Sequence, residues 1–330
     1  MSHLDNASVL VTGGTGSLGK SIVEYLLNKT RVRRIVIFSR DELKQYDLKV
    51  KLGDNPRLRW FIGDIRDLER LKLAFHHVDF VIHTAALKQV DTGEYNPMEF
   101  IKTNIIGSQN VIDAAVSASV KRVVALSTDK ASSPINLYGA TKLTSDKLFI
   151  AANNYSHARG TTFSVVRYGN VMESRGSVIP FFQSIVAQGK PIPITDLRMT
   201  RFWISIRDAV DFVIKSLEIM KGGELYVPRI PSMKIIDLAS AIDPNSEITE
   251  IGIRPGEKLH EEMISEDDMR RTIKLENRFV VAPVIAEWGY KTPEGDTMAG
   301  AQAYRSDTND LWISKIEIKT YLEDFKSLQI

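Results

Sequence analysis

The sequence contains no cysteine, and only 6 of its 330 residues are histidine. Without cysteine, disulfides, thiolate catalysis and cysteine-ligated metals are excluded. Apolar runs are also short, none approaching the roughly 20 residues that span a bilayer, so we expect no membrane partner. The segment Met1–Asn6 leaves no room for a signal peptide before the first predicted strand. We therefore expect a cytoplasmic protein.

An excess of charge of one sign is missing as well, because 43 Lys and Arg against 41 Asp and Glu leave a net charge of +2. Such a balance creates no long-range field for nucleic acid, and we predict no nucleic-acid partner. The hydrophobic content of 43% is ordinary for a soluble globular protein. The length suffices for one large domain or two moderate ones.

A glycine-rich turn joins the first predicted strand, Ala7–Val11, to the amphipathic segment Ser21–Leu27. Its spacing, Gly-x-x-Gly-x-x-Gly, is a variant of the dinucleotide-binding fingerprint. The helix that follows offers free N–H groups to phosphates. A glycine turn without a ligand is the alternative, but the strand before it and the helix after it favour dinucleotide binding. The predicted cofactor contacts here are Gly13, Thr15, Gly16, Ser17, Leu18 and Gly19.

The end of the second predicted strand, Arg34–Phe38, bears on the choice between NAD and NADP. NAD-preferring sites usually place a carboxylate there to hold the ribose. Here Ser39 and Arg40 come first, which suits a 2′-phosphate and predicts NADP as the cofactor, with Ser39, Arg40 and Lys44 as contacts. The alternative is that Arg40 is a solvated surface charge and that Ser39 or Asp41 merely caps the next helix.

Two later strand ends supply further candidates for cofactor contact. Leu58–Ile62 leads into residues that suit the adenine, and Asp79–His83 leads into small residues that let the backbone lie against the cofactor. His83 itself is expected to be a packed residue at the strand end. The candidates are Asp64, Ile65, Ala85 and Ala86, with Lys88 placed to reach a phosphate or a sugar.

A tyrosine and a lysine near the start of a predicted helix, Leu137–Lys147, form a candidate proton shuttle. Tyr138 and Lys142 lie one turn apart, with Cβ atoms roughly 5–6 Å from each other. A tyrosine pKa of about 10 is too high for a base at neutral pH, and we expect the neighbouring ammonium to lower it. A plain surface pair is the alternative. Thr128-Asp129-Lys130, just upstream after an apolar strand, favours an active site.

The alternation of strands and helices up to residue 167 predicts an α/β fold, a doubly wound parallel Rossmann sheet with a smaller C-terminal substrate-binding region. We assign residues 1–170 to an NADP-binding domain, to which 204–228 return, and residues 171–203 and 229–330 to the substrate-binding region. The basic loop Ile251–Lys258 is a candidate diphosphate clamp, with a solvated turn as the default alternative. The segment His260-Glu261-Glu262 lacks the second histidine of a zinc motif, and no metal site is predicted.

Together these motifs resemble the extended short-chain dehydrogenase/reductases that modify nucleotide sugars. Within them, the chain resembles the inverting UDP-N-acetylglucosamine 4,6-dehydratases of the pseudaminic-acid type, along nearly its whole length. Thr128-Asp129-Lys130 is the most specific part, because retaining relatives carry Thr-Asp-Glu and 4-epimerases lack the acidic-plus-basic pair. The other segments that carry the likeness are Thr12–Gly19, Ser39–Gln45, Gly63–Asp67, Ala85–Lys88, Tyr138–Lys142, Arg254–Lys258 and Tyr304–Asn309. The chain departs from the family pattern at Thr84, Asp91 and Glu173.

The resemblance implies a redox-neutral lyase that uses NADP and acts on UDP-N-acetylglucosamine. Tyr138, aided by Lys142, would take the proton of the sugar's 4-hydroxyl while hydride leaves carbon 4. Lys130 would remove the proton at carbon 5, which requires a lowered lysine pKa. Asp129 would protonate the departing 6-hydroxyl, Thr128 would bond the 4-oxygen, and reprotonation from the opposite face would invert carbon 5. The implied substrate contacts are Lys88, Asn170, Arg175, Arg254 and Glu257.

Two other functions remain open at this point. A UDP-hexose 4-epimerase needs only the Tyr138–Lys142 pair, and a Rossmann-fold regulator that senses NADP needs neither that pair nor Thr128–Lys130. The presence of both sets favours the dehydratase. We also expect a homo-oligomer, and a role in the biosynthesis of surface-glycan sugars.

Overall fold

The computed structural model describes residues 3–172 and 177–327, of which 324–327 are described by their backbone alone. A parallel sheet lies at its centre. The parallel strands are β1 (Ser8–Thr12), β2 (Arg34–Ser39), β3 (Leu58–Ile62), β4 (Phe80–His83), β5 (Arg122–Thr128), β6 (Thr162–Tyr168) and, after three short strands, β10 (Leu225–Pro228). Their spatial order is β3-β2-β1-β4-β5-β6-β10. The order reverses between β1 and β4, where ligands bind beyond the carboxyl ends of the strands. The predicted Rossmann sheet is confirmed.

Helices cover both faces of this sheet because its strands are apolar on both sides. In β1, Leu10 packs into the core that contains Phe149, while Val9 and Val11 pack into the opposite core with Ile22. The helices are α1 (Ser17–Lys29), α2 (Glu42–Leu52), α3 (Leu68–Ala74), α4 (Val90–Tyr95), α5 (Pro97–Phe100), α6 (Gly107–Ser117), α7 (Leu137–Ser156), α8 (Val178–Ala187), α9 (Ile206–Ile219), α10 (Ile235–Ile242), α11 (Glu266–Met269) and α12 (Lys315–Ser327).

One helix extends beyond its predicted end, and one segment between helices has a different geometry. Helix α7 runs nine residues beyond the predicted end at Lys147, since nothing in the sequence stops it there. Between α5 and α6 the chain forms a π-helical turn, Ile101–Ile106. Within that turn Asn104 donates to the Leu87 carbonyl and accepts from the Leu87 N–H, both at 2.9 Å. This pairing anchors the loop after β4 that carries Lys88.

The C-terminal part extends the sheet, which the sequence analysis did not predict. Strand β15 (Arg278–Val281) pairs antiparallel with β10, and β14 (Thr272–Lys274) and β16 (Asp296–Thr297) follow outward. These strands are short and carry no strong alternation. The remaining strands form small sheets: β7 (Asn170–Val171), β9 (Thr200–Ile204) and β11 (Ser232–Lys234); β8 (Ile192–Ile194) and β12 (Ile248–Glu250); β13 (Glu262–Ile264) and β17 (Tyr304–Arg305).

A third apolar core lies in this C-terminal part, around Phe182, Trp203, Leu238 and Ile318. The predicted substrate-binding region thus has a core of its own and also adds strands to the main sheet. Among the described residues no helix is long and apolar enough to cross a membrane.

Candidate active site

One cavity of about 860 Å³ opens along the carboxyl ends of the parallel strands. It brings together residues that the sequence analysis selected from distant segments. The predicted residues that line it are Gly13, Thr15, Gly16, Ser17, Leu18, Gly19, Ser39, Arg40, Lys44, Asp64, Ile65, Ala85, Ala86, Lys88, Thr128, Asp129, Lys130, Tyr138, Lys142, Asn170, Arg254 and Glu257. Arg175, the remaining predicted contact, and the departure Glu173 lie outside the described residues.

The glycine turn at one end of the cavity has the geometry that a pyrophosphate requires. Gly13 has a φ of +65°, and a Cβ there would lie 2.9 Å from the Ala85 backbone. Only glycine combines that conformation with such a close approach. Helix α1 begins after Gly16 without a side-chain cap, so its first N–H groups face the cavity end as an anion site. This part of the chain fits a dinucleotide.

The edge beyond β2 carries two cations next to Ser39. Arg40 is more than half exposed, and its guanidinium lies 3.8 Å from Asp64 Oδ2. Lys44 Nζ lies 2.5 Å from Asp41 Oδ2, and Asp41 caps α2 by accepting from the Lys44 N–H. The helix-capping alternative is therefore correct for Asp41. Arg40 and Lys44 nevertheless line the cavity, where both can reach an anion.

Asp64 is already paired on its own side of the cavity. Arg66 donates to it from Nε at 3.0 Å and from a terminal nitrogen at 2.8 Å. Burial works against ionisation, but the hydrogen bonds from Arg66 prevail and lower the pKa of Asp64. A carboxylate engaged in this way is less free to bind a ribose hydroxyl.

The turn after β5 forms the centre of the site. Thr128 ends the strand and donates to Asp129 Oδ1 at 2.9 Å. Asp129–Ala131 then form a 3₁₀ turn, in which Lys130 Nζ lies 3.2 Å from Asp129 Oδ1. Asp129 is fully buried, and this burial, together with the charge of Glu261, raises the pKa of its carboxyl. Asp129 is thereby suited to hold a proton.

Helix α7 supplies Tyr138 and Lys142 to the same wall. Asn136 caps the helix by accepting from the Gly139 N–H at 2.8 Å. A Cβ at Gly139 would clash with the Lys130 carbonyl, so this glycine lets the helix approach the Asp129–Ala131 turn. Helix α7, which carries Tyr138 and Lys142, therefore packs closely against the turn that carries Asp129 and Lys130.

The predicted lowering of the Tyr138 pKa by Lys142 is wrong. Burial raises the pKa of Tyr138 to about 12, and the charge of Lys130 and a hydrogen bond from Thr128 only partly oppose it. Lys142 is itself buried, and this burial lowers its pKa against the opposing charge of Asp146. The physical reason is that the phenolate loses more hydration than the nearby charges return.

The predicted lowering of the Lys130 pKa is wrong as well. Burial favours the neutral amine, but the carboxylates of Asp129 and Glu261 outweigh it and raise the lysine pKa. Lys130 Nζ lies 3.0 Å from Glu261 Oε1. In the sequence Glu261 stands out only as part of an incomplete zinc motif, and its contact with Lys130 was not predicted. No local signal marks it, because the two residues are 131 positions apart.

The loop before β13 joins the C-terminal part to this centre. Lys258 Nζ donates to the Ser132 carbonyl at 2.6 Å, and Asn136 Nδ2 donates to the Gly256 carbonyl at 2.8 Å. Arg201, from β9, lies 3.3 Å from Glu257 Oε1 and 3.7 Å from Glu261 Oε1. Arg201 was not predicted from the sequence; it lines the cavity together with Arg254 and Lys258 of the predicted clamp loop.

Several buried acceptors at this end have no hydrogen-bond partner among the described residues. Such atoms require a donor from a ligand or from water. They are Asp129 Oδ2, Asn170 Oδ1, Glu257 Oε2 and Glu261 Oε2. All four residues line the cavity, so this end of it suits a ligand rich in hydroxyl and amide donors.

Two histidines singled out in the sequence lie outside this chemistry. His83 is buried as predicted, with Nδ1 2.8 Å from Thr12 Oγ1. His260 Nδ1 lies 2.9 Å from Thr200 Oγ1, and its ring is near Asp307. Both rings therefore serve packing and local hydrogen bonds.

Comparison with known proteins agrees with this geometry. The family model described as polysaccharide biosynthesis protein matches residues 9–283. The chain is 52% identical to "UDP-N-acetylglucosamine 4,6-dehydratase (inverting)" of Campylobacter jejuni, with 96% of this chain and 98% of that protein covered. It is 43% identical to a "UDP-glucose 4-epimerase" of Rickettsia conorii, with 82% of each covered.

Solved structures extend the comparison. Pen from Bacillus thuringiensis superposes with a TM-score of 0.88 at 39% identity, covering 97% of this chain and 99% of that one. The dTDP-glucose 4,6-dehydratase DesIV from Streptomyces venezuelae, solved with NAD and TYD, superposes with a TM-score of 0.68 at 25% identity, covering 76% and 86%. The chain therefore belongs to the polysaccharide biosynthesis protein family, and both the resemblance and the nucleotide-sugar 4,6-dehydratase class predicted from its motifs are confirmed.

Proposed function

We propose that this protein is an NADP-dependent dehydratase that converts UDP-N-acetylglucosamine to a 4-keto-6-deoxy sugar with inversion at carbon 5. The observation that carries the proposal is the contact between Asp129 and Lys130 in the cavity that also holds Tyr138 and the glycine turn. An acid and a base in contact, beside a tyrosine, are the groups that elimination after oxidation needs.

The choice of NADP rests on the edge beyond β2. Arg40 and Lys44 both line the cavity next to Ser39, and a 2′-phosphate would place its charge between them. NADP held by Ser39, Arg40 and Lys44 would supply the reversible hydride transfer that oxidation at carbon 4 and reduction at carbon 6 of the sugar require. The neighbouring carboxylates, Asp41 and Asp64, are engaged with Lys44 and Arg66, which leaves them less suited to a ribose hydroxyl.

Oxidation of the sugar begins with the loss of the 4-hydroxyl proton to Tyr138. A tyrosine pKa of about 12 makes the phenolate rare at neutral pH, so Tyr138 acts best when its own proton leaves as the new one arrives. The charge of Lys130 and the hydrogen bond from Thr128 both favour the phenolate. Lys142 is buried one turn after Tyr138 on α7 and is the buried lysine closest to it in the chain.

Elimination then uses the proton that Asp129 and Lys130 share. The ion pair of ammonium and carboxylate has the same number of protons as a neutral amine beside a neutral acid. Transfer across the 3.2 Å contact converts the first form into the second. Lys130 then takes the proton from carbon 5, and Asp129 gives its proton to the departing 6-hydroxyl, which leaves as water. Hydride would then return to carbon 6, and a proton exchanged with solvent would reach carbon 5 on the face opposite to the one that was deprotonated. The products are the inverted 4-keto-6-deoxy sugar and water, so the reaction is redox-neutral.

Substrate binding would use the end of the cavity away from the glycine turn. Arg254, beside Lys258, would hold the diphosphate as a charge-assisted partner. Lys88 and Asn170 would contact the hexose, and Glu257 would accept a hydrogen bond from it with the oxygen that is now unpaired. Arg175 keeps its proposed substrate role by resemblance alone.

The proposed division of the chain is the one predicted from the sequence. We assign residues 1–170 and 204–228 to cofactor binding, and residues 171–203 and 229–330 to substrate binding. A homo-oligomer, a cytoplasmic location and a place in pseudaminic-acid-type surface-glycan biosynthesis accompany the proposal as expectations.

Incubation of the protein with NADP and UDP-N-acetylglucosamine, followed by mass spectrometry, tests the function. Loss of one water from the nucleotide sugar supports the dehydratase. An isomer of unchanged mass would instead establish the epimerase. Absence of any conversion, with NADP bound, would favour a sensor.

A further inference from the structure

We propose that Glu261 is a positioning residue for Lys130: its buried carboxylate fixes the amine beside Asp129 and pairs with its charge. The inference rests on the proposed function, in which Lys130 must give up a proton to act as a base. It adds to the reaction a residue from the C-terminal part of the chain.

The contact between Lys130 and Glu261 is part of a buried and well-defined arrangement. Lys130 Nζ bridges two carboxylates, at 3.2 Å from Asp129 Oδ1 and 3.0 Å from Glu261 Oε1. The side chains of Asp129 and Glu261 are only 1% and 2% exposed. A lysine with two buried carboxylate partners can occupy only a narrow range of positions.

Glu261 is held in place independently of Lys130. Its backbone N–H donates to Ser306 Oγ at 2.9 Å, and Arg201 Nε lies 3.7 Å from Glu261 Oε1. Next in the chain, Glu262 accepts from Ser132 Oγ at 2.7 Å and from Ser133 Oγ at 2.6 Å. These bonds fix the segment that carries Glu261 against the loop after Lys130.

The charges around Lys130 show what Glu261 contributes. From other elements, Arg201, Lys88, Lys258 and the Tyr138 hydroxyl all interact with it. Arg201, the largest of the cationic influences on Lys130, favours the neutral amine. Burial also favours the neutral amine, so the protonated form depends on Asp129 and Glu261. Of these two, only Glu261 is free of a proposed acid role.

The first test measures the protonation of Lys130 without relying on turnover. The protein with NADP is acylated with acetic anhydride over a range of pH values, and the fraction modified at Lys130 is read by peptide mass spectrometry, with the exposed Lys234 as internal reference. Only the neutral amine reacts. Poor access of the reagent to Lys130 would lower the maximal fraction that is modified. Stronger retention of the proton would instead raise the midpoint, which is the pH at which half of that maximum is reached. In the wild type we expect the midpoint of Lys130 to lie above that of Lys234, and a shared midpoint would overturn the proposal.

Glu261→Gln removes the charge while keeping an oxygen that can accept from Lys130. We expect the midpoint to fall by about one pH unit, which raises the acylation rate at about pH 9 roughly tenfold. Glu261→Asp keeps the charge and should retain most of the wild-type midpoint. Glu262→Gln is the matched control, because Glu262 bonds to serines, and its Lys130 midpoint should stay unchanged. Equal midpoints in wild type, Glu261→Gln and Glu262→Gln would overturn the proposal.

Kinetics provide the second readout. Because the active pair of Asp129 and Lys130 holds one shared proton, loss of that proton sets the alkaline limb of kcat against pH. This limb should move to lower pH in Glu261→Gln, with KM changed less than about twofold. An unmoved limb would contradict the positioning role. If the wild type fails to dehydrate UDP-N-acetylglucosamine, the proposed function fails, while acylation still reports on Glu261. If Glu261→Gln does not fold, as judged by its melting temperature, the wild-type midpoint decides.

Discussion

Arg167 donates a hydrogen bond to Asp146 Oδ2 at 3.0 Å, and both side chains are almost completely buried. Ser127 Oγ donates to the same oxygen at 2.7 Å. This ion pair joins β6 to α7 one turn after Lys142. Removing one partner of such a pair leaves a buried charge without compensation. The catalytic helix is thus fixed to the sheet by charge as well as by packing.

We expect Asp146→Asn to lower the free energy of unfolding by about 3–5 kcal/mol, because the Arg167 guanidinium would stay buried and unpaired. Urea denaturation measures this change. The double variant Asp146→Asn with Arg167→Met should recover much of the loss, since no isolated charge remains. A single variant within about 1 kcal/mol of the wild type would show that water reaches the arginine.

His83 should make stability depend on acidity. Burial lowers the pKa of His83 to about 3, whereas an unfolded histidine has a pKa of about 6.5. Because the folded pKa is the lower one, this contribution to stability is present above about pH 6.5 and is lost as the pH falls towards 3. In urea denaturation between about pH 7 and pH 4, the wild type should lose more stability than His83→Gln. Parallel curves for the two proteins would contradict the assignment.

Lys130→Ala should abolish elimination, because no base would remain for the proton at carbon 5. A general base typically contributes ~10²–10⁴-fold, so a loss of less than about tenfold would argue against this role. Tyr138 and Lys142 remain in the variant, and reduced cofactor should therefore build up slowly in a single turnover, followed by its absorbance.

The wild-type reaction in heavy water tests inversion separately. Lys130 exchanges its proton with solvent, so deuterium should appear at carbon 5 of an L-configured product. A D-configured product would end the inverting proposal and leave the dehydratase intact. NMR of the product decides between the two configurations.

Arg40→Ala should weaken NADP binding by about 10–100-fold and NAD binding much less, because a charge-assisted contact to the 2′-phosphate is lost. Titration of both cofactors measures the effect. Arg207→Ala, at an exposed arginine on α9, is the control and should change neither affinity. Equal losses for the two cofactors in Arg40→Ala would make Arg40 a surface charge.

Arg254→Ala should raise the KM for the nucleotide sugar more than it lowers kcat, as expected when binding common to ground state and transition state is removed. Arg254→Lys keeps the charge and should fall between wild type and Arg254→Ala. Steady-state kinetics with UDP-N-acetylglucosamine distinguish the variants. An unchanged KM would leave Arg254 without a role at the diphosphate.

Features that depend on near neighbours in the chain could be predicted from the amino-acid sequence. The spacing of Gly13, Gly16 and Gly19 predicted the turn before α1, and the four-residue spacing of Tyr138 and Lys142 placed both on one face of α7. Apolar runs predicted the parallel strands because a strand buried on both faces must be apolar throughout. Short strands such as β14 and β16 escaped prediction, since few residues and little alternation leave no pattern.

The charge state of the active site, in contrast, depends on contacts that form when the chain folds. The pKa values of Tyr138 and Lys130 both rise in the folded protein, contrary to the sequence-based expectation. Burial raises the pKa of Tyr138, whereas Asp129 and Glu261 raise the pKa of Lys130 against burial. Asp129 is adjacent in the chain, but neither the burial nor the Glu261 contact can be read from nearby residues. Electrostatic interactions depend on distance in space and on local hydration. A contact between residues 131 positions apart therefore becomes visible only when the chain is folded.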